Sequence, residues 1–156
     1  MTDLAFTVIG RAAPGGSKRA FRNPHTGGVI VTDDAKGGAP WRELVQSAAM
    51  QALNGAGAPM FTDGALALDV CFFRVRPASH YGSGRNADKL KPSAPAFPTT
   101  RPDTTKTLRA LEDALTGIAW HDDAQIVTQL VRKRFAAAGE LERVDVRITR
   151  QAEAAR

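Results

Sequence analysis

The sequence predicts one small domain that combines several β-strands with two main helices, and three observations carry that reading. Segments in which apolar residues alternate with period two occur alongside two segments with apolar residues at helical spacing. Stretches rich in Gly and Pro separate them. The chain's 156 residues, 43% hydrophobic and 24% charged, also match the size and composition of a soluble globular domain with a modest core. The domain is expected over residues 1–150, with 151–156 (QAEAAR) as a frayed polar tail.

Leu4 to Ile9 reads as a first strand, ended by Gly10. RAAPGGSKRAFRNPHTGG follows, too rich in Gly, Pro and basic residues for a long regular element, and it is expected to form a hairpin-like excursion. Lys18, Arg19 and Arg22 suit contact with a phosphate backbone, and Gly15 and Gly16 would allow close approach; a solvated loop fits the same residues equally well. Val29 to Thr32 suggests a short strand. APWRELVQSAAMQALNG then places Leu44, Val45, Ala48, Ala49, Ala52 and Leu53 at helical spacing, with Pro40 in the first turn, Asn54 and Gly55 at the end, and Trp41 as a packing anchor.

Ala65 to Val75 is apolar on both faces, Leu66, Leu68, Val70 and Phe72 on one and Ala67, Cys71, Phe73 and Val75 on the other, which marks a central strand. A long Pro-, Gly- and Ser-rich loop follows, whose Arg76, His80, Arg85, Lys89, Lys91 and Arg101 would form a positive rim. Its Tyr81 reads as packing against its own fold rather than as a platform for a base. Ala124 to Phe135 and the alternating Val144, Val146 and Ile148 read as two closing strands, joined through AAAGELE into a hairpin.

Residues 101–126, RPDTTKTLRALEDALTGIAWHDDAQI, hold the second helix and most of the candidate chemistry. Leu108, Leu111, Leu115 and Ile118 form one apolar stripe, with Lys106, Arg109 and Asp113 roughly opposite. Pro102 blocks continuation from upstream, Asp103 or Thr104 can cap the first turn, and Gly117 is a natural stop. Asp103 therefore stands at the start of the helix, and Asp122 and Asp123 just past its end. If the chain folds back, both ends face one cleft.

A net charge of +5 and a pI near 9.9 fit a polyanionic partner without defining one. The lone Cys71 can form no internal disulfide, no apolar run approaches the ~18 residues that span a bilayer, and the N-terminus lacks a secretory signal, so a cytoplasmic protein is expected. No Cys/His zinc pattern, Walker loop or supported Ser/His/Asp arrangement is present, and His121 reads as an exposed turn residue.

The stretch from Pro102 onward resembles the core motif of the RusA family of Holliday junction resolvases, P-D-x-D-N-x-x-K-x-x-x-D-A-L, a Gly, then D-D-x-Q. Pro102, Asp103, Asp113, Ala114, Leu115, Gly117, Asp122, Asp123 and Gln125 match it. Thr105 stands where a second metal-binding Asp is expected, Lys106 in place of Asn and Arg109 in place of Lys. SKRAFRNP and HYGSGRNADKLKPSAPAFPTTRPD are similar to bacteriophage-type members of the family.

The resemblance implies an α+β fold, a mixed or antiparallel sheet with two main helices packed on it. It also implies a homodimer that nicks opposing strands of a four-way junction in recombination and repair. The chemistry is metal-assisted phosphodiester hydrolysis with Mg²⁺, or Mn²⁺, held by carboxylates. Asp103 and Asp123 are the first-choice ligands, Asp122 a second carboxylate, and Arg109 the group that meets the scissile phosphate, with Asp113 orienting it. Lys18, Arg19, Arg22, Arg85, Lys89, Lys91, Arg101 and Lys106 are the candidate DNA contacts. A hydroxyl is a far poorer ligand for a hard cation than a carboxylate. Thr105 therefore supports a second reading, a junction-binding protein with weak or lost cleavage, and a basic domain with a protein partner is the third.

Overall fold

The computed structural model describes residues 3–15, 18–22, 26–33, 37–56 and 61–152; Gly16 and the last four residues of the tail lie outside this set. Eight main elements follow in order: β1 (Leu4–Ile9), β2 (Lys18–Arg22), β3 (Val29–Asp33), α1 (Gly38–Ala56), β4 (Leu66–Arg74), α2 (Thr104–Leu115), β5 (Ile126–Phe135) and β6 (Arg143–Arg150). The fold is α+β. β1, β6, β4 and β5 form, in that order, a mixed four-stranded sheet, and β2 pairs with β3 as a separate antiparallel hairpin, the excursion expected from the sequence.

The central position of β4 follows from its composition. It pairs antiparallel with β6 on one side and parallel with β5 on the other. Leu66, Leu68, Val70 and Phe72 are buried toward the helices. They meet Trp41, Val45 and Ala49 of α1 and Leu108, Leu111 and Leu115 of α2 in one core, closed by Phe61 and Trp120. The opposite sheet face carries polar groups: Thr7 donates to Asp145 at 2.8 Å, Arg132 pairs with Asp69, and Arg143 stacks 4.0 Å from the Phe73 ring centre. Cys71 lies on this face, and burial pushes its thiol pKa up.

β5 and β6 do not form the expected hairpin, because β4 lies between them. Their burial explains the arrangement. Along β5 most side chains are exposed or half-buried, as suits an edge strand, whereas Val144, Val146 and Ile148 of β6 are buried and require neighbours on both sides. The connecting turn steps over the end of β4, where Ala136 N donates to Arg74 O at 2.8 Å and Gly10 N to Glu142 O at 2.9 Å. Smaller differences have local causes. Leu44 is 47% exposed despite its helical register, lying over Gly10, where a side chain would come within 3.3 Å of its Cδ1. α1 continues through Asn54 and Gly55 to Ala56.

The loop between β4 and α2 is irregular but tied to itself. Tyr81 bridges to Leu90, Gly82 N donates to Lys89 O, and Lys91 N donates to His80 O, both of these hydrogen bonds 2.9 Å long. Arg76 donates to Pro95 O at 2.8 Å and sits 4.0 Å from the Phe135 ring centre. Lys133 of β5 then fastens the end of the loop, donating to Thr100 O at 2.8 Å and Pro102 O at 3.1 Å.

Because Leu111 is fully buried between α2 and the sheet, Leu111→Ala is expected to lower unfolding free energy by about 2–5 kcal/mol. Leu44→Ala should cost less than about 1 kcal/mol. Chemical denaturation midpoints of the two variants check the contrast.

Candidate active site

The N-terminal end of α2 leaves a carboxylate free. Asp103 occupies the cap position in an extended conformation (φ −69°, ψ 145°), yet its side chain makes no capping hydrogen bond. The buried Thr107 hydroxyl instead lies 2.8 Å from Asp103 O and 3.0 Å from Thr104 O. The Asp103 side chain is 62% exposed, with Lys106 Nζ at 4.0 Å, a pairing that contributes little at such exposure.

At the other end, α2 stops at Leu115 and Gly117 takes φ +81°, a conformation that side-chain-bearing residues rarely adopt. The chain turns there and buries Trp120 completely, with Gly117 N donating to Trp120 O at 2.7 Å and Phe61 N to Ala119 O at 2.9 Å. The following carboxylate is held firmly: Asp123 Oδ1 accepts from Trp120 Nε1 at 2.7 Å and lies 2.6 Å from Thr116 Oγ1. Asp122 has a structural task, accepting from Ala124 N at 2.8 Å. Gln125 completes the turn, its Oε1 accepting from His121 N (2.9 Å) and Asp122 N (3.0 Å), its Nε2 donating to Phe61 O and Gly64 O, both 3.4 Å away.

A third carboxylate, passed over in the sequence, belongs to this end. Glu112 is half-buried between α2 and β5, where Gln129 Nε2 donates to its Oε1. Its pKa is raised above the usual glutamate range, first by burial and then by the charges of Asp123 and Asp113, against a smaller opposing pull from Gln129 and Arg109. One signal was available: Thr105, Arg109, Glu112 and Thr116 recur at spacings that put them on one helical face.

The two acidic ends are far apart within one chain. From Asp103 to Thr116, beside which Asp123 is held, the helix advances roughly 20 Å at about 1.5 Å per residue. The fold-back that would bring both ends to one cleft does not occur. Among the described residues, no three His, Cys, Asp or Glu side chains are gathered so as to hold a metal ion. Arg109 is exposed on the face between the two ends, and no hydrogen bond joins it to Asp113 among the described residues. The Asp113 carbonyl accepts from Arg42 at 2.9 Å.

Of the candidate DNA contacts, Arg85, Lys89, Arg101 and Lys106 are exposed around α2 and the preceding loop. Arg22 is exposed on the hairpin, its Nε donating to Gly27 O at 3.3 Å, whereas Lys91 Nζ is bound to Ser79 O at 2.9 Å within its own loop. The side chains of Lys18 and Arg19 lie outside the described residues, although their backbone forms part of β2. No helix among the described residues is long and apolar enough to cross a membrane.

An α+β domain with carboxylates at both ends of one helix and cations around it has the makings of a phosphodiester-cleaving enzyme. The chain matches the family model Endodeoxyribonuclease RusA over residues 12–149, and it belongs to that family. It is therefore an endodeoxyribonuclease of the Holliday junction resolvase type, a hydrolase of phosphodiester bonds in branched DNA, in a family whose activity depends on a divalent metal ion. It is also similar to the uncharacterized protein YqaN of Bacillus subtilis (strain 168), with 30% identity over 149 residues, 95% of this chain and 96% of the relative.

Two expected outcomes follow from the geometry of the C-terminal acidic end. Gln125→Ala leaves the amides of His121 and Asp122 without their acceptor and should cost about 1–3 kcal/mol, with faster hydrogen exchange at those two amides. In metal-free protein the raised Glu112 pKa means that folding favours its protonated form, so its contribution is most favourable at low pH and is lost as pH rises through the folded-state pKa. Glu112→Gln should therefore gain stability relative to wild type as pH rises from about 4 to 7, measured by urea unfolding in a chelating buffer.

Proposed function

We propose that the protein is a Mg²⁺-dependent resolvase that works as a homodimer in the cytoplasm, nicking four-way junctions and other branched DNA in recombination and repair. The observation that carries this reading is the pair of acidic ends on α2. Asp103 is uncapped and Asp123 is locked by Trp120 and Thr116, yet the two are separated by the length of the helix. A two-fold pair of chains supplies what one lacks, if the N-terminal end of one α2 meets the C-terminal end of the other. Two equivalent sites then match a substrate with paired strands to cut.

The donor set, carboxylates with neighbouring hydroxyls, suits a hard divalent cation, Mg²⁺ or Mn²⁺. Asp103 and Asp123 would hold it, with Asp122 as a further carboxylate through the oxygen not used on Ala124. When bound, such an ion activates water and neutralises charge building on the phosphoryl oxygens. Trp120 and Thr116 keep Asp123 from rotating away from this task. Arg109 supplies a guanidinium to the same developing charge. Arg85, Lys89, Arg101 and Lys106, joined by Lys18, Arg19, Arg22 and Lys91, neutralise backbone phosphates along the arms.

A second reading is supported by Thr105, where a hydroxyl stands in place of a carboxylate: junction binding with weak or lost cleavage. Nicking of a synthetic four-way junction against linear duplex, in Mg²⁺ or Mn²⁺, separates the two. Junction-selective cutting that falls roughly 100-fold or more in Asp103→Asn and Asp123→Asn, with binding retained, establishes the enzyme. Binding without cutting in either metal, together with a large gain in Thr105→Asp, establishes the second reading. Affinity should fall with salt, and Arg85→Ala or Lys89→Ala should each reduce that slope by about 0.9.

A further inference from the structure

We infer that Lys133 of β5 is the positioning residue of Asp103. With Arg74 of β4 it ties three consecutive main-chain carbonyls, those of Thr100, Arg101 and Pro102, to the sheet, and so fixes the backbone that carries the carboxylate. This rests on the reading of Asp103 as a metal ligand and names what holds that ligand in place.

The Asp103 side chain does not locate itself. It makes no capping hydrogen bond, is 62% exposed, and has Lys106 Nζ no nearer than 4.0 Å. Its place is therefore decided by the main chain on either side. On the helical side the Asp103 carbonyl accepts from Thr107 N at 3.1 Å, and the buried Thr107 hydroxyl lies 2.8 Å from it. On the other side the chain from Ala87 to Asp103 forms no helix or strand that would pair its carbonyls. The sheet supplies the donors instead. Lys133 Nζ is 2.8 Å from Thr100 O and 3.1 Å from Pro102 O, and Arg74 Nη1 is 3.4 Å from Arg101 O. Arg74 is itself held by Glu142 at 3.1 Å, with its side chain 15% exposed.

An ammonium suits this task, because it carries three donors on one atom and can meet two carbonyls at once, each bond strengthened by its charge. Lys133 has no carboxylate partner among the described residues, so the two carbonyls are what its charge serves. The two ends of α2 are thus held by different means: Asp123 through its side chain by Trp120 and Thr116, Asp103 through its main chain by Lys133 and Arg74. A site assembled from both ends needs each one fixed beforehand, since a misplacement of about 1 Å can cost roughly 100-fold in rate. The alternative is that Lys133 only secures the loop and adds stability.

The test is Mn²⁺ binding to the full-length protein without DNA, followed by electron paramagnetic resonance, alongside junction binding and cutting. Lys133→Met should weaken Mn²⁺ binding about tenfold or more and slow cutting, with junction affinity close to wild type. Lys133→Arg, which keeps the charge and the donors, should recover part of both losses. Lys133→Gln, with two donors and no charge, carries the same comparison if Lys133→Met does not fold. Val144→Ala, a cavity in β6, is the stability control: it should lower the melting temperature and leave Mn²⁺ affinity unchanged. If Lys133→Met binds Mn²⁺ no worse than Val144→Ala, Lys133 is a loop tether and the inference is overturned. Lost cutting with unchanged Mn²⁺ binding overturns it as well, because Lys133 then acts on the DNA directly. If Asp103→Asn binds Mn²⁺ like wild type, the assignment of Asp103 as a ligand fails first, and this inference with it.

Discussion

The hydrogen bond from the Trp120 indole to Asp123 Oδ1, 2.7 Å long, joins the hydrophobic core to the acidic edge of the molecule. Trp120 is fully buried, so its N–H needs an acceptor brought to it; the acceptor is a carboxylate at the rim of the fold. The left-handed turn at Gly117, the Phe61–Trp120 bridge and the Gln125 clamp all serve the same end. Packing of the core thereby determines where Asp123 sits.

α2 is both scaffold and spacer. Its buried stripe of Leu108, Leu111, Ala114 and Leu115 anchors it against the sheet and α1, and the rigidity that follows holds its ends about 20 Å apart. A short helix cannot bend its termini together without losing that packing. The separation of Asp103 from Asp123 is thus a consequence of the core, and it is this separation that the proposed two-fold pairing of chains answers.

The acidic end carries an electrostatic cost to folding. Burial and like charge raise the pKa of Glu112, which is unfavourable for folding at neutral pH. Nearby, Asp122 spends one oxygen on the turn and Asp123 one on Trp120. The turn is well satisfied by hydrogen bonds.

Local pattern made much of this protein legible. The apolar stripe of α2, its stop at Gly117, the two-faced apolar β4 and the acidic residues flanking the helix are properties of neighbouring residues, and spacing reveals them. The motif around Asp103, Asp122, Asp123 and Gln125 pointed to the family on the same local grounds. Tertiary structure decided what lies between segments. Alternation in β5 and β6 shows which face is buried but not which strand becomes the neighbour, so a chain-adjacent hairpin was expected where β4 intervenes. The surroundings of Glu112 are equally non-local, because Gln129 follows later in the chain and meets it only when α2 lies against β5. The distance between the acidic ends likewise depends on how the chain returns after Gly117, a non-local matter that the sequence of the helix does not contain.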